Sequence, residues 1–190
     1  RVLLQLSRFP AASSDTLYEG VAEIPWEEHL GPAGSLWVDF VGASRNIRNT
    51  RFGAQRTKDA IVDRMRARGV ERPEVDREDP DLRINVHLRD GVATVGLDLS
   101  GQALHRRTPG RHVQKAPLRE TLAGAILQMA DWPRKAKEGW SFADPMCGSG
   151  TFVLEACAMA RDLAPGLARE QWGFSRWRGF DAGAWKTLKE

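Results

Sequence analysis

The chain is short of the residues that mark several functional classes. Its 190 residues hold two cysteines, Cys147 and Cys157, and neither belongs to a CxxC pair. Two such cysteines make neither a disulfide framework nor a zinc knuckle, so a reduced, cytoplasmic setting is expected. The four histidines, His29, His87, His105 and His112, are dispersed, and no metal site is expected. No apolar run approaches the roughly 18–20 residues that a membrane span needs, and no signal-peptide pattern opens the chain. The sequence starts at Arg1, without methionine, and runs straight into the strand-like "VLLQL". It reads as a fragment cut at least at its front end.

What remains is an ordinary globular composition, 42% hydrophobic and 28% charged, with a net charge of +3. That length suits one large domain or two small ones. The mild positive balance fits an anionic partner without requiring one.

"VLLQLSRF" reads as a strand. "SSDTLYEGVAEI" offers Ser13 or Ser14 as a helix cap, with Leu17, Val21 and Ile24 on one face. "SLWVDFVG" (35–42) alternates Leu36, Val38 and Phe40 against Trp37, Asp39 and Val41, the period of a strand. Thr57 is placed as the cap of a helix running to about Arg68, with Gly69 as its stop and Ile61 and Met65 facing the core. "LRINVHL" (82–88) is a half-buried strand. Asp90-Gly91 predicts a hairpin, with Val95, Leu97 and Leu99 on the apolar face of the return strand. "ERPEVDREDPD", before the hairpin, reads as an acidic surface loop.

A turn at Pro109-Gly110 marks a domain boundary. Beyond it, positions 118, 122, 125, 126 and 129 form a helical stripe taken to face the core, with Pro117 suited to its first turn and Pro133 ending it. A short strand is expected at about 140–143. The helix expected from Thr151 to about Leu163 is apolar nearly all round, as in a helix buried against a parallel sheet, and Cys157 is expected in that core. The chain has no internal repeat.

Positive charge gathers in two places. Residues 44–72 carry nine cations against three acids, a net of +6. Residues 102–120 carry five cations against Glu120, a net of +4. Part of the first group is a solvated helix face. The loop with Arg45, Arg48 and Arg51 is harder to explain that way.

The densest stretch is "ADPMCGSGTFVLEA" (143–156). A strand, then Asp144, then Gly148-Ser149-Gly150, then a helix make the first unit of a doubly wound nucleotide-type fold. Glycines let the backbone take positive φ and approach a ligand closely. The helix start supplies free N–H groups and a partial positive charge. Asp144 is placed to accept from an ammonium group. Val153 stands where the third glycine of a dinucleotide fingerprint would be, which argues against NAD, and no Gly-Lys-Ser/Thr follows, which excludes a P-loop. A plain turn without ligand is the bland alternative for such a short motif.

"DPMCGSGT" (144–151) resembles the S-adenosylmethionine loop of class I methyltransferases that act on exocyclic amino groups of nucleobases. "RNIRNTRFGAQRTKDAIVDR", "DLSGQALHRR", "APLRETLA", "APGL" and "WGFSRW" extend the likeness over the whole chain. Together they resemble the bacterial large-subunit ribosomal RNA guanine-N2-methyltransferases that carry an N-terminal THUMP domain.

The resemblance implies an α/β chain. Residues 1–108 would be a THUMP RNA-binding module with a ferredoxin-like α+β region, truncated at its front. Residues 109–117 would be a linker, and 118–190 the start of a Rossmann-like class I methyltransferase domain. Asp144, Met146, Cys147, Gly148, Ser149, Gly150 and Thr151 would surround the methionine part of S-adenosylmethionine, with Pro117 and Leu118 packing near it. Arg45, Arg48, Arg51, Lys58, Arg106 and Arg107 would contact phosphates of ribosomal RNA. The family's Asn/Asp-Pro-Pro-aromatic loop is absent: the only Asp-Pro pairs, Asp79-Pro80 and Asp144-Pro145, do not continue that way. The stretch is therefore expected to catalyse nothing alone. After Arg106-Arg107 the family often has Gly-aromatic-Arg, where this chain has Thr108-Pro109-Gly110-Arg111.

Some residues imitate site residues. Asp181 looks like a ribose-binding acid, but it lies 37 residues beyond Asp144 rather than about 20 past the glycine loop, so it reads as a surface or helix-start residue. Cys147 reads as a small residue in a crowded turn rather than a nucleophile. Trp172, Phe174 and Trp177 read as packing, not as base-stacking groups. Two alternatives stand beside the main reading: a DNA amino-methyltransferase, and a non-catalytic RNA-binding module.

Overall fold

The structure is a computed structural model that describes residues 1–101, 103, 104, 118–167 and 169–189. Arg106, Arg107, Pro117 and the expected linker over 109–117 lie outside the described residues. The chain forms two compact units, residues 1–101 with 171–190, and residues 102–170.

The first unit is built on a five-stranded sheet of β1 (Leu3–Pro10), β2 (Ser35–Gly42), β3 (Glu74–Val75), β4 (Leu82–Arg89) and β5 (Val92–Asp98). Their order is β1-β5-β4-β2-β3. β1 and β4 flank β5 antiparallel, whereas β2 pairs parallel with β4 and with β3. The expected alternation holds: Leu36, Val38 and Phe40 of β2 and Leu82, Ile84, Val86 and Leu88 of β4 are buried. Asp90 and Gly91 both take positive φ, 52° and 72°, which gives the hairpin a twist matching its strands.

α1 (Ser14–Ala22) and α3 (Thr50–Ala67) cover the apolar face, and α2 (Trp26–His29) is a single turn between α1 and β2. Ser13 caps α1 with a reciprocal bond to Thr16. The cap of α3 is Asn49, not Thr57: its side chain accepts from Arg51 N and Phe52 N. Asparagine satisfies the free amides of a helix start as well as threonine does, so the helix begins two turns earlier. Thr57 lies buried inside it and its hydroxyl donates to Gly53 O at 2.9 Å. Arg51 thus belongs to the helix rather than to the loop.

Residues 171–190 pack on this same unit. Arg178 N donates to His29 O and its guanidinium to Glu27 O. Trp177 packs against the core. Trp172, Phe174, Phe180 and Trp185 form a ring cluster with centroids 5.0–5.8 Å apart. Asp181 accepts from Gly183 N and Ala184 N at the start of α7 (Ala182–Lys189), the helix-start role read for it.

The second unit contains α4 (Glu120–Met129), α5 (Trp132–Lys137) and α6 (Thr151–Ala160). Ala123, Gly124 and Leu127 of α4 are buried, Leu127 in one cluster with Trp132 and Ala156, and Trp132 Nε1 donates to Ala156 O at 2.9 Å. The expected inward stripe of α4 faces outward: Leu122, Ile126 and Met129 are 51%, 41% and 88% exposed. The buried side of α4 is the one that carries the small residues Ala123 and Gly124 together with Leu127. Residues 140–143 form no strand, because a strand exists only by pairing and no extended neighbour lies beside them among the described residues. For the same reason α6 is not enclosed. It packs on α4 and α5, while Val153, Leu154 and Cys157 are exposed.

Candidate cofactor loop and nucleic-acid interface

The glycine loop is shaped by local bonds. Asp144 is half-buried, and its Oδ1 accepts from Met146 N at 3.1 Å, closing a turn over Pro145. Gly150 N donates to Cys147 O at 2.7 Å. Gly148 and Gly150 take positive φ, 51° and 74°, conformations that cost a side-chain-bearing residue roughly 1–2 kcal/mol. Gly150 is the N-cap residue of α6, and no side chain caps that helix. The first turn of a helix directs its backbone amides outward, the kind of end that suits an anionic group. A Cβ built on Gly150 would meet no atom within 4 Å, so the space above it is open.

Ser149 and Thr151 hydroxyls stand 3.5 Å apart at the helix start. Met146 and Cys147 are exposed, so Cys147 is not held in a crowded turn. Leu118 is half-buried two residues ahead of α4, the helix that packs on α6. Seven of the sequence-assigned cofactor residues thus form one open loop by chain contiguity. A separate cavity of about 600 Å3 in this unit, between α4, α6 and residues 162–167, includes none of them.

The cations of residues 44–72 divide into those that hold helices together and those that do not. Arg64 is bidentate on Glu27, at 2.9 and 2.8 Å, and also donates to Ala22 O and Glu23 O at the end of α1. Beside that guanidinium the Glu27 carboxyl is lowered to about 2. Arg56 lies over the Tyr18 ring at 4.3 Å and pairs with Asp15. These two hold the helices together.

Arg45, Arg48 and Arg51 are exposed at the start of α3. Buried Ile47 anchors their loop, and Arg48 Nε donates to Arg45 O at 3.1 Å. Arg51 and Lys58, two turns apart on α3, line one groove beside β2 together with Trp37 and Arg77. Trp37 and Arg77 were not singled out from sequence. Trp37 shows only as a polar-face position of its strand, and Arg77 is hidden in an acidic loop.

Residues 11–98 match the family model of the THUMP domain, and residues 109–189 match that of the RMKL-like methyltransferase domain. The ribosomal RNA large subunit methyltransferase K/L of Ectopseudomonas mendocina (strain ymp) is 53% identical over 188 residues, 99% of this chain and 26% of that protein. The protein of the same name from Pseudomonas aeruginosa strain PAO1 is 50% identical over 190 residues, 100% of this chain and 26% of that protein. The chain thus spans about a quarter of the length of these relatives. Among solved structures, a predicted N6-adenine-specific DNA methylase from Listeria monocytogenes str. 4b F2365 aligns with a TM-score of 0.83 at 26% identity, covering 100% of this chain and 48% of that one. SMU.472, described as a putative methyltransferase complexed with SAH, aligns with a TM-score of 0.80 at 29% identity, covering 97% of this chain and 48% of that one.

Proposed function

This chain joins a THUMP domain to RMKL-like methyltransferase sequence, and from that premise we propose that it is the RNA-binding and methionine-side part of a ribosomal RNA guanine-N2-methyltransferase. The whole enzyme moves a methyl group from S-adenosylmethionine to the exocyclic amine of a guanine in large-subunit rRNA, in the cytoplasm. The observation that carries the reading is the identity of about half of all positions, over essentially the whole chain, with proteins named ribosomal RNA large subunit methyltransferase K/L.

The loop fits such a cofactor. The first turn of α6 would receive the cofactor's carboxylate at its backbone amides. Asp144 would accept from its ammonium group, its Oδ1 already taking the Met146 amide. Positive φ at Gly148 and Gly150 keeps side chains out of the approach. The cofactor supplies an electrophilic methyl group on a sulfonium. The guanine amine is a weak nucleophile, its lone pair delocalised into the ring, so alignment of amine and methyl accounts for most of the rate. A base held in structure is flipped out first. No residue of this chain is assigned to the chemical step.

The name of the Listeria relative favours one second reading, a DNA methylase. Filter binding with structured rRNA and duplex DNA separates the two. Preference for rRNA is expected, and equal or tighter DNA binding overturns the proposal. Calorimetry of the full-length protein with S-adenosylhomocysteine tests the cofactor half, where absence of binding removes the methyltransferase reading.

A further inference from the structure

In the first unit, β2 is an edge strand for most of its length. β3 pairs only with Ser35 and Leu36, so from Val38 onward the side of β2 away from β4 has no strand neighbour among the described residues. Leu36 O faces that side, where it accepts from Asp76 N at 3.2 Å. Because strand backbone groups alternate in direction, the N–H and C=O groups of Val38 and Phe40 face the same open side.

A groove of about 470 Å3 runs along this edge, and α3 forms its other wall. The helix lies close because Gly53 has no side chain: a Cβ there would stand 2.7 Å from the Phe40 ring.

The groove is positive and carries an aromatic. Arg51 and Arg77 have no carboxylate within ion-pair distance among the described residues. The Lys58 side chain is only 18% exposed, and its ammonium meets Asp59 at 3.4 Å. The one acid lining the groove among the described residues, Asp39, is already engaged: it accepts from Trp37 Nε1 at 2.9 Å and pairs with Arg1 and Arg83 at 3.0 and 3.3 Å. The Arg77 guanidinium lies 5.6 Å from the Trp37 ring centroid, within cation–π range, and its side chain is exposed and free to swing aside.

We propose that this groove binds a nucleotide of single-stranded RNA. The base lies on Trp37 with its edge toward the backbone groups of Val38 and Phe40, and the flanking phosphates meet Arg51, Lys58 and Arg77. The proposal rests on the reading of the chain as part of an RNA methyltransferase, and adds the place of contact and the form of the RNA. A duplex hides its base edges in pairing, whereas an unpaired base offers both a face to stack and an edge to read. An open strand edge also accepts an extended peptide, but an aromatic ring with Arg77 beside it and two further cations, Arg51 and Lys58, in the helical wall of the same groove complement a phosphate chain with bases.

The test uses fluorescence anisotropy of this chain with a labelled single-stranded RNA decamer and the matching duplex, with ultraviolet crosslinks mapped by peptide mass. The single strand is expected to bind more tightly and to crosslink at Trp37 or its neighbours in β2. Trp37→Ala weakens binding about tenfold or more, and Trp37→Phe restores most of it. Lys58→Gln, which leaves the aromatic in place, reduces the slope of log affinity against log salt by about 0.7. Circular dichroism verifies that each variant folds. If RNA binds but both sites are silent, and crosslinks fall instead on Arg8, His87 and Arg89 across the sheet, the groove is wrong while the proposed function stands. Absence of any RNA binding overturns both. Saturable binding of an extended peptide without RNA affinity overturns the groove's assignment in favour of strand addition.

Discussion

Trp177 Nε1 donates to Nδ1 of His29 across 3.2 Å, joining residues 148 positions apart. The rings also stack, with centroids 6.1 Å apart and planes inclined by 29°. To accept, His29 must be neutral with its proton on Nε2. Burial already pushes the imidazole below its ordinary value of 6.5, against the pull of Glu27 and Glu28. Protonation would set two N–H donors against each other.

The pH dependence follows. Because the folded value is depressed, the unfolded chain takes up the proton first as pH falls. The contribution of this contact is complete above about 6.5 and is lost as pH falls toward the depressed folded value. Melting temperature should therefore fall between pH 7 and 5. His29→Asn, whose amide oxygen can stand in for Nδ1 without titrating, should flatten that slope. Glu27 does not confound the comparison, since its contribution changes only below its ordinary value of 4.5. Identical slopes in the two proteins would exclude His29 as the titrating group.

The Arg64–Glu27 pair ties α3 to the end of α1 and to α2 by four hydrogen bonds. Arg64→Lys keeps the charge but cannot reproduce the fork that reaches a carboxylate and two carbonyls together. A loss of about 2 kcal/mol is expected in urea unfolding. With Glu27 lowered from 4.5 to about 2, the wild-type contribution is present above pH 4.5 and lost as pH falls toward 2. The difference between wild type and variant should shrink over that window, and a constant difference would contradict the pairing.

Gly53→Ala sets two effects against each other. Alanine favours an exposed helix by about 1 kcal/mol. Here the new methyl would enter the Phe40 ring, 2.7 Å away, and that ring is 7% exposed. Overpacking of this kind costs about 1–3 kcal/mol, so the clash wins. Differential scanning calorimetry should show a lower melting temperature, and a rise would mean that Phe40 has room to move.

The parts of the fold readable from sequence are those where one face alone decides burial. Leu82, Ile84, Val86 and Leu88 alternate strictly, and Asp90-Gly91 has few other conformations, so β4, its turn and β5 follow directly. The expectation failed where a helix had two plausible faces. On α4 the larger side chains Leu122, Ile126 and Met129 suggest the core, but the buried side is the one with Ala123, Gly124 and Leu127. Thr57 and Asn49 are both competent caps, and propensity does not choose between them. The glycine loop was legible because backbone conformation restricts residue type. The groove was not, since it depends on β3 ending at Val75 and on Trp37 and Arg77 meeting from segments 40 residues apart.

Asp144 and Gly150 divide the loop's work into charge and shape, and can be separated by substitution. Asp144→Asn keeps an oxygen to accept from Met146 N, so the turn persists while the charge opposite an ammonium is lost. A charge-assisted bond contributes about 1.5–3 kcal/mol, so S-adenosylhomocysteine affinity of the full-length protein should fall roughly ten- to a hundredfold, with thermal stability unchanged. Gly150→Ala meets no steric obstacle, since nothing lies within 4 Å of the added Cβ, but φ at 74° penalises it. It should lose affinity together with about 1–2 kcal/mol of stability. Asp181→Asn is the control, an acid that caps α7 and has no part in the loop; its cofactor affinity should match wild type. Equal affinity in Asp144→Asn and Asp181→Asn, measured by calorimetry, would remove Asp144 from the cofactor site.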